Sequence, residues 1–204
     1  MTTIIKSKYG VCKKIKNSYK NLWGLEKKET YRSLIFKRKH KTTSFSKLLN
    51  IKQALKFFYS NIKELTFKKY AFFSVNSQSK TIDKLVSILE SRVDTALFRS
   101  CFVTSFYEAK QLISHKFVLI NNKYVISPNI VLSNGDILKL KFCKRKLSVL
   151  NTKIFREKLL SRSLPSYIEI DWQNFSFFFL WDINFKTAYF PVELSYQHIC
   201  RYYK

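Results

Sequence analysis

The sequence predicts an α+β fold, with a basic helical N-terminal domain followed by a small module of two helices on an antiparallel sheet. Three patterns carry that expectation. Apolar residues recur at steps of three and four between Leu48 and Leu65. A Ser105-x-x-Glu108 pair precedes a second amphipathic stretch. Apolar alternation then runs from Phe117 to Phe142, interrupted by Asn121-Asn122 and Gly135-Asp136. The 204 residues suffice for one or two domains with real cores.

Residues 1–45 read as an extended basic arm. The chain holds 38 Lys and Arg against 13 Asp and Glu, a net +25. The excess is uneven: residues 1–80 carry twenty cations and three acids, residues 81–143 eight and five, and residues 144–204 ten and five. A soluble domain needs a net charge of only about 2–8, so an excess of this size points to a polyanion. Nucleic acid fits, because each Lys or Arg placed on a phosphate releases a condensed counterion. Lys13, Lys14, Lys37, Arg38, Lys39 and Lys41 are the arm's candidate phosphate contacts. The interleaved Tyr9, Tyr19, Trp23, Tyr31 and Phe36 can stack on bases or cover sugar faces. With little apolar area to bury, the arm is expected to stay irregular until it meets its partner.

Residues 46–90 should form a helical domain. Leu48, Ile51, Leu55, Phe58, Ile62 and Leu65 make an apolar stripe, and lysines fall largely off it. Lys52, Lys56, Lys68 and Lys69 are the candidate RNA contacts here. Asn61-x-x-Glu64 has capping-box spacing, so a helix is expected to restart there after a break at Ser60. "TIDKLVSILESRV" supplies a further helix, with Ile82, Leu85, Ile88 and Leu89 on one side.

Residues 91–143 form the module. Thr95 to Cys101 reads as a short helix, and Ser105 opens a second, "YEAKQLIS", that ends near His115. Strands follow at Phe117–Leu119 and Tyr124–Ile126, joined through Asn121-Asn122, since Asn tolerates the positive φ of a tight turn. "SNGDILKLKF" is a third strand. With both helix caps and all three strands inside it, a fragment of residues 90–143 is expected to fold alone. Residues 144–204 make a C-terminal helix and strand segment. Its most apolar run, "FSFFFLW" from Phe175 to Trp181, reads as a buried strand, far short of the ~20 residues of a spanning helix.

Composition excludes several classes. Cys12, Cys101, Cys143 and Cys200 are scattered, with no C-x-x-C pair and no histidine at zinc-ligand spacing. Neither a structural metal nor a disulfide is expected. The N-terminus shows neither a signal-peptide core nor an Arg/Ser-rich transit pattern. Phe 19 and Tyr 12 against Gly 3 and Pro 3 is the usage an AT-rich genome, such as an organelle's, imposes. The expectation is a protein made inside the organelle where it works.

The stretch from Leu89 to Leu140 resembles the RNA-binding module named for ribosomal protein S-four, the universal small-subunit protein four family. That pattern runs Leu-Glu-x-Arg-Leu-Asp, Arg-x-Gly-Phe, Ala-Arg-Gln-Leu-Val-x-His-Gly, Val-Asn-Gly and Gly-Asp. This chain keeps Glu90, Arg92, Asp94, Arg99, Phe102, Ala109, Gln111, Leu112, His115, Asn121, Gly135 and Asp136. Cys101, Lys116 and Asn122 stand where the pattern has glycine, and Lys110 where arginine is usual. Lysine keeps that charge but loses a bidentate fork. "LNIKQALKFFYSNIKELTFKKY" resembles the helix pair before the module in the ribosomal family, "SKYGVCKKIKNSYKNLWG" its basic N-terminus, and "LPSYIEID" its Pro-Ser-Trp-Leu-Glu-Val-Asp segment. The resemblance is weakest over residues 144–163 and 172–195.

The resemblance implies a structural constituent of the small ribosomal subunit that binds small-subunit rRNA in the 5′ domain and helps nucleate assembly. Its C-terminal segment, residues 144–204, would return to pack on the helical domain. Arg92, Arg99, Lys110, Gln111, Ser114, His115, Lys116, Asn121 and Lys123 would face folded RNA. The plain alternatives are an ion pair between Arg92 and Asp94, and a His115 that merely ends a helix. Neighbouring small-subunit proteins, and mRNA where it enters the subunit, are further implied partners. No cofactor, membrane or small-molecule substrate is expected. Composition adds a location in the mitochondrial matrix, within the mitochondrial ribosome, with a plastid ribosome as the alternative.

The rival class is an rRNA-modifying enzyme carrying the same module, either a pseudouridine synthase or a methyltransferase. Only Gly10, Gly24 and Gly135 are available, so no glycine-rich cofactor loop can be built. The residues after the module, with Asp171 and Asp182, are too few for a catalytic domain, and His40, His115 and His198 lie far apart. A free ribosome-associated factor is the remaining alternative.

Overall fold

The computed structural model describes residues 43–141, 164–181, 183–184, 187–188 and 202–203. Among them are five α-helices and one five-stranded antiparallel sheet, the α+β class that the sequence predicts. The chain divides into two compact units, Met1–Phe72 with Phe190–Lys204, and Phe73–Tyr189.

In the first unit, α1 (Ser44–Phe58) starts where Thr43 Oγ1 accepts the Ser46 amide at 3.2 Å. It ends where the Tyr59 amide donates to the Leu55 carbonyl. Ser60 and Asn61 then take left-handed backbone, φ 57° and 54°, and the helix breaks at the expected place. α2 (Glu64–Val75) begins two residues later than an Asn61 cap would start it. The break also resets the phase of the stripe. Leu55, Phe58 and Ile62 are buried, as are Phe67 and Ala71 of α2, but Leu65 is 77% exposed instead of joining them. Lys52, expected off the stripe, is buried.

In the second unit, α3 (Thr81–Glu90), α4 (Val93–Arg99) and α5 (Phe106–Ser114) follow one another, with α4 in contact with both α3 and α5. α3 was expected with the helical domain. It falls in this unit, where Leu85, Val86 and Leu89 are buried and Thr95 Oγ1 donates to the Leu89 carbonyl at 2.9 Å. Ser105 caps α5 by accepting the Glu108 amide, and Glu108 Oε2 reaches back one residue further than expected, to the Thr104 amide and hydroxyl, both at 2.8 Å. The Phe98 and Phe106 rings stack at 4.2 Å between α4 and α5.

The strands are β1 (Val118–Ile120), β2 (Lys123–Tyr124), β3 (Ile137–Leu140), β4 (Ile168–Asp171) and β5 (Ser176–Phe179), in the order β2-β1-β3-β5-β4. The expected hairpin is present, with Asn121 and Asn122 at φ 47° and 66°. The sheet does not stop at the three strands the sequence predicts for the module. β5 pairs with β3, placing Leu138 opposite Phe177, and β4 pairs with β5. Alternation explains why: Leu138, Leu140, Phe177 and Phe179 are all buried, so a three-stranded sheet would leave β3 with an apolar row and an open edge. "FSFFFLW" therefore supplies a strand, but one that completes the module. Phe102 fills the space beside it, with Trp172, Phe175 and Phe177 at ring distances of 5.4, 6.1 and 6.2 Å.

Candidate nucleic-acid interface

Two of the arginines expected to face RNA are inside the protein. Arg92 is 1% exposed and forks onto Asp94, with Nε to Oδ1 at 3.0 Å and Nη2 to Oδ2 at 2.7 Å. Burial pushes the Asp94 carboxyl up, against the opposing pull of Arg92 and Lys110. Arg99 is also buried and forks onto Glu90, with Nε to Oε2 at 2.9 Å. The Tyr167 hydroxyl donates to the same Oε2 at 2.9 Å, and burial, then the Glu90 charge, push that hydroxyl well above its ordinary value. Both guanidinium groups sit on the α4 turn, where every residue from Ser91 to Ser100 is buried. A buried charge must be paired, and these two are paired within the second unit.

The groups that reach solvent come next in the chain. Lys110 is half-buried, and burial pulls its ammonium down while Asp94 opposes. Gln111, Ser114, His115 and Lys116 are exposed along the last turn of α5 and the step into β1. Ser114 Oγ donates to the Gln111 carbonyl at 2.9 Å, and His115 is the C-cap. Lys116 turns the chain with φ 60°, so the strand leaves the helix at once. Asn121 is exposed but anchored: its Nδ2 donates to Asp136 Oδ1 at 2.8 Å and its Oδ1 accepts the Ile137 amide at 3.0 Å. Lys123 is exposed on edge strand β2 and has no ion pair among the described residues. Lys139 and Lys141 are exposed on and just beyond β3 and were missed from the sequence, although the alternation of "ILKLK" places both on the outer face. Lys141 Nζ donates to Tyr124 Oη at 2.9 Å, joining a cation to an exposed aromatic.

In the first unit, Lys52 and Lys56 converge on one carboxylate. Lys52 Nζ lies 2.9 Å from Glu64 Oε1, and Lys56 donates to Oε2. Tyr203 Oη adds a 2.6 Å bond to Oε1, and the Tyr202 ring lies under Lys52 Nζ at 3.9 Å. Burial raises the Glu64 carboxyl, but its bonds from Lys56, Tyr203 and Lys52 outweigh that and hold it at about 2. Lys68 and Lys69 are exposed on α2. Lys13, Lys14, Lys37, Arg38, Lys39 and Lys41 lie outside the described residues. Among the described residues no three His, Cys, Asp or Glu side chains gather as metal ligands, and no helix is long and apolar enough to cross a membrane.

No family model matches the sequence. Curated proteins do. The small ribosomal subunit protein uS4m of Reclinomonas americana is 31% identical over 165 residues, covering 78% of this chain and 65% of that protein, so the chain spans just under two thirds of its length. The small ribosomal subunit protein uS4 of Aquifex aeolicus is 31% identical over 166 residues, 81% of this chain and 78% of the relative. That of Gluconobacter oxydans is 28% identical over 209 residues, 100% of this chain and 99% of the relative.

Proposed function

The chain belongs to the uS4 family of small ribosomal subunit proteins, and from that premise we propose that it binds small-subunit rRNA through the exposed end of α5 and the strands beside it. It is a structural constituent of the small subunit and not an enzyme. The observation that carries the RNA reading is the sorting of charge in the second unit. Arg92 and Arg99 are paired with Asp94 and Glu90, whereas Gln111, Ser114, His115, Lys116, Lys123, Lys139 and Lys141 face solvent, with Lys141 bonded to the exposed Tyr124. Donors of this kind suit RNA, whose accessible groups are phosphates, 2′-hydroxyls and the shallow minor groove. The arm's lysines and arginines add sequence-independent phosphate neutralisation.

The finer reading is contact with the rRNA 5′ domain early in assembly, alongside neighbouring small-subunit proteins and mRNA where it enters the subunit. A mitochondrial ribosome is supported by the amino-acid usage and by the uS4m relative, and bacterial uS4 proteins make up most of the remaining relatives. The test is sedimentation with small subunits through high salt, paired with filter binding of rRNA across a salt series. Retention on the subunit is expected. Replacing Lys116 and Lys123 by Ala should flatten the salt slope by about 1.4–1.8 units, at roughly 0.7–0.9 per phosphate. Release at moderate salt, or an unchanged slope, would overturn the reading.

A further inference from the structure

α2 carries an uncovered stripe that the rRNA reading does not absorb. Leu65 is 77% exposed and Phe72 67% exposed, seven residues apart, and the exposed Lys68 and Lys69 stand between them. Positions i, i+3, i+4 and i+7 share one face of a helix, so these four form a single strip about 10 Å long. The opposite face of the helix is the one that packs, through Phe67 and Ala71. No ion pair holds Lys68 or Lys69 among the described residues. The carboxylate nearest in sequence, Glu64, is occupied by Lys52, Lys56 and Tyr203. The strip therefore presents two large apolar side chains and two unneutralised cations, with no anion of its own.

We propose that this face of α2 is a docking strip for an acidic, amphipathic segment of another small-subunit protein. Charge and apolar area together select that occupant. A second copy of this chain would set Lys68 and Lys69 against the same lysines, in a molecule already at +25. An RNA duplex would satisfy the two ammonium groups but leave Leu65 in water, because it offers phosphates and sugars rather than apolar area. A protein segment with one or two aliphatic or aromatic side chains flanked by Asp or Glu covers all four residues. Aromatic anchors buried at the centre of an interface, with charges at its rim, are the usual arrangement. The proposal rests on the ribosomal reading only for where the partner is found, and it assigns Lys68 and Lys69 to carboxylates instead of phosphates.

The test uses small subunits isolated through a tag on the full-length chain, carrying a benzophenone side chain at position 65 or 72. Both probes are expected to attach to one other polypeptide, with Asp or Glu close to the point of attachment. Charge reversal by Lys68→Glu with Lys69→Glu should cut that attachment about tenfold. Attachment to rRNA from both positions overturns the proposal. So does attachment to a second copy of this chain, to a peptide without acidic residues, or to nothing, and so does insensitivity to charge reversal. The rRNA content of the preparation with Lys68 and Lys69 intact tests the ribosomal reading separately, so each can fail without the other.

Discussion

Tyr167 donates its hydroxyl to Glu90 at 2.9 Å across 77 residues of sequence, and Glu90 is fully buried and simultaneously paired with Arg99. One carboxylate thus joins the end of α3, the end of α4 and the residue that leads into β4. Tyr167→Phe should cost about 1.5–3 kcal/mol, the range for a hydrogen bond to a charged group. Arg99→Leu should cost about 3–5 kcal/mol, because it strands a buried charge. Denaturant titration measures both. The Tyr167→Phe protein, once folded, should bind rRNA with unchanged salt slope, as expected for a group that touches only protein.

A fragment ending at residue 143 should not melt cooperatively. The sequence suggests that residues 90–143 are self-sufficient, but β5 covers the edge of β3 and Phe177 lies opposite Leu138. Residues 73–189 should give a single thermal transition by circular dichroism, and residues 73–143 a shallow, sloping one. An equally sharp transition in the shorter piece would show that the second hairpin is dispensable.

Lys116→Gly should raise stability while weakening RNA binding. The left-handed φ of 60° strains a residue with a Cβ by about 1–2 kcal/mol, whereas glycine's extra freedom in the unfolded chain takes back about 0.5–1 kcal/mol. The net gain expected is from a few tenths to about 1 kcal/mol by denaturant titration. The same change should remove about 0.7–0.9 from the salt slope of rRNA binding. Cys101, at φ 61°, has the same strain, but its thiol is buried, so Cys101→Gly should gain less.

What the sequence made legible was local. Ser105 capping α5, the break at Ser60 and the Asn121-Asn122 turn all depend on residues within four positions of each other. The glycine pattern of the resemblance is local too, and Cys101, Lys116 and Asn122 all adopt the positive φ that glycine would serve. The fates of Arg92 and Arg99 were hidden because a charged side chain looks the same in sequence whether it meets solvent or a buried carboxylate. The Arg92–Asp94 pair, only two residues apart, could be named as an alternative. Glu90–Arg99–Tyr167 could not, since no spacing rule links residues 77 positions apart. Leu65 was misassigned for a different reason: a two-residue left-handed break rotates one helix against the next, and periodicity cannot be carried across it.

Acid should weaken the first unit through Glu64. Its carboxyl lies at about 2, below the ordinary value of 4.5, so its contribution is complete above about 4.5 and is lost as pH falls toward about 2. The side chain is 46% exposed, which holds that contribution to about 0.5–1 kcal/mol. Glu64→Gln should therefore erase the stability difference from wild type at pH 2 and show it in full at pH 6, by denaturant titration at each pH. A difference that grew on acidification would contradict the geometry.

The strand order has a consequence in time. β5 is the last of the described strands to be synthesised, yet it occupies an inner place between β3 and β4. About forty residues separate the end of β3 from the end of β5, which at roughly 5–20 residues per second means about 2–8 s of elongation. Through that interval the nascent chain displays β3 with one edge unpaired and the apolar side chains of Leu138 and Leu140 on an unfinished layer. β4 and β5 are sequence neighbours and pair with each other, so they can dock as a finished hairpin onto the waiting edge. Birth order thus makes the second hairpin the closing event of the fold.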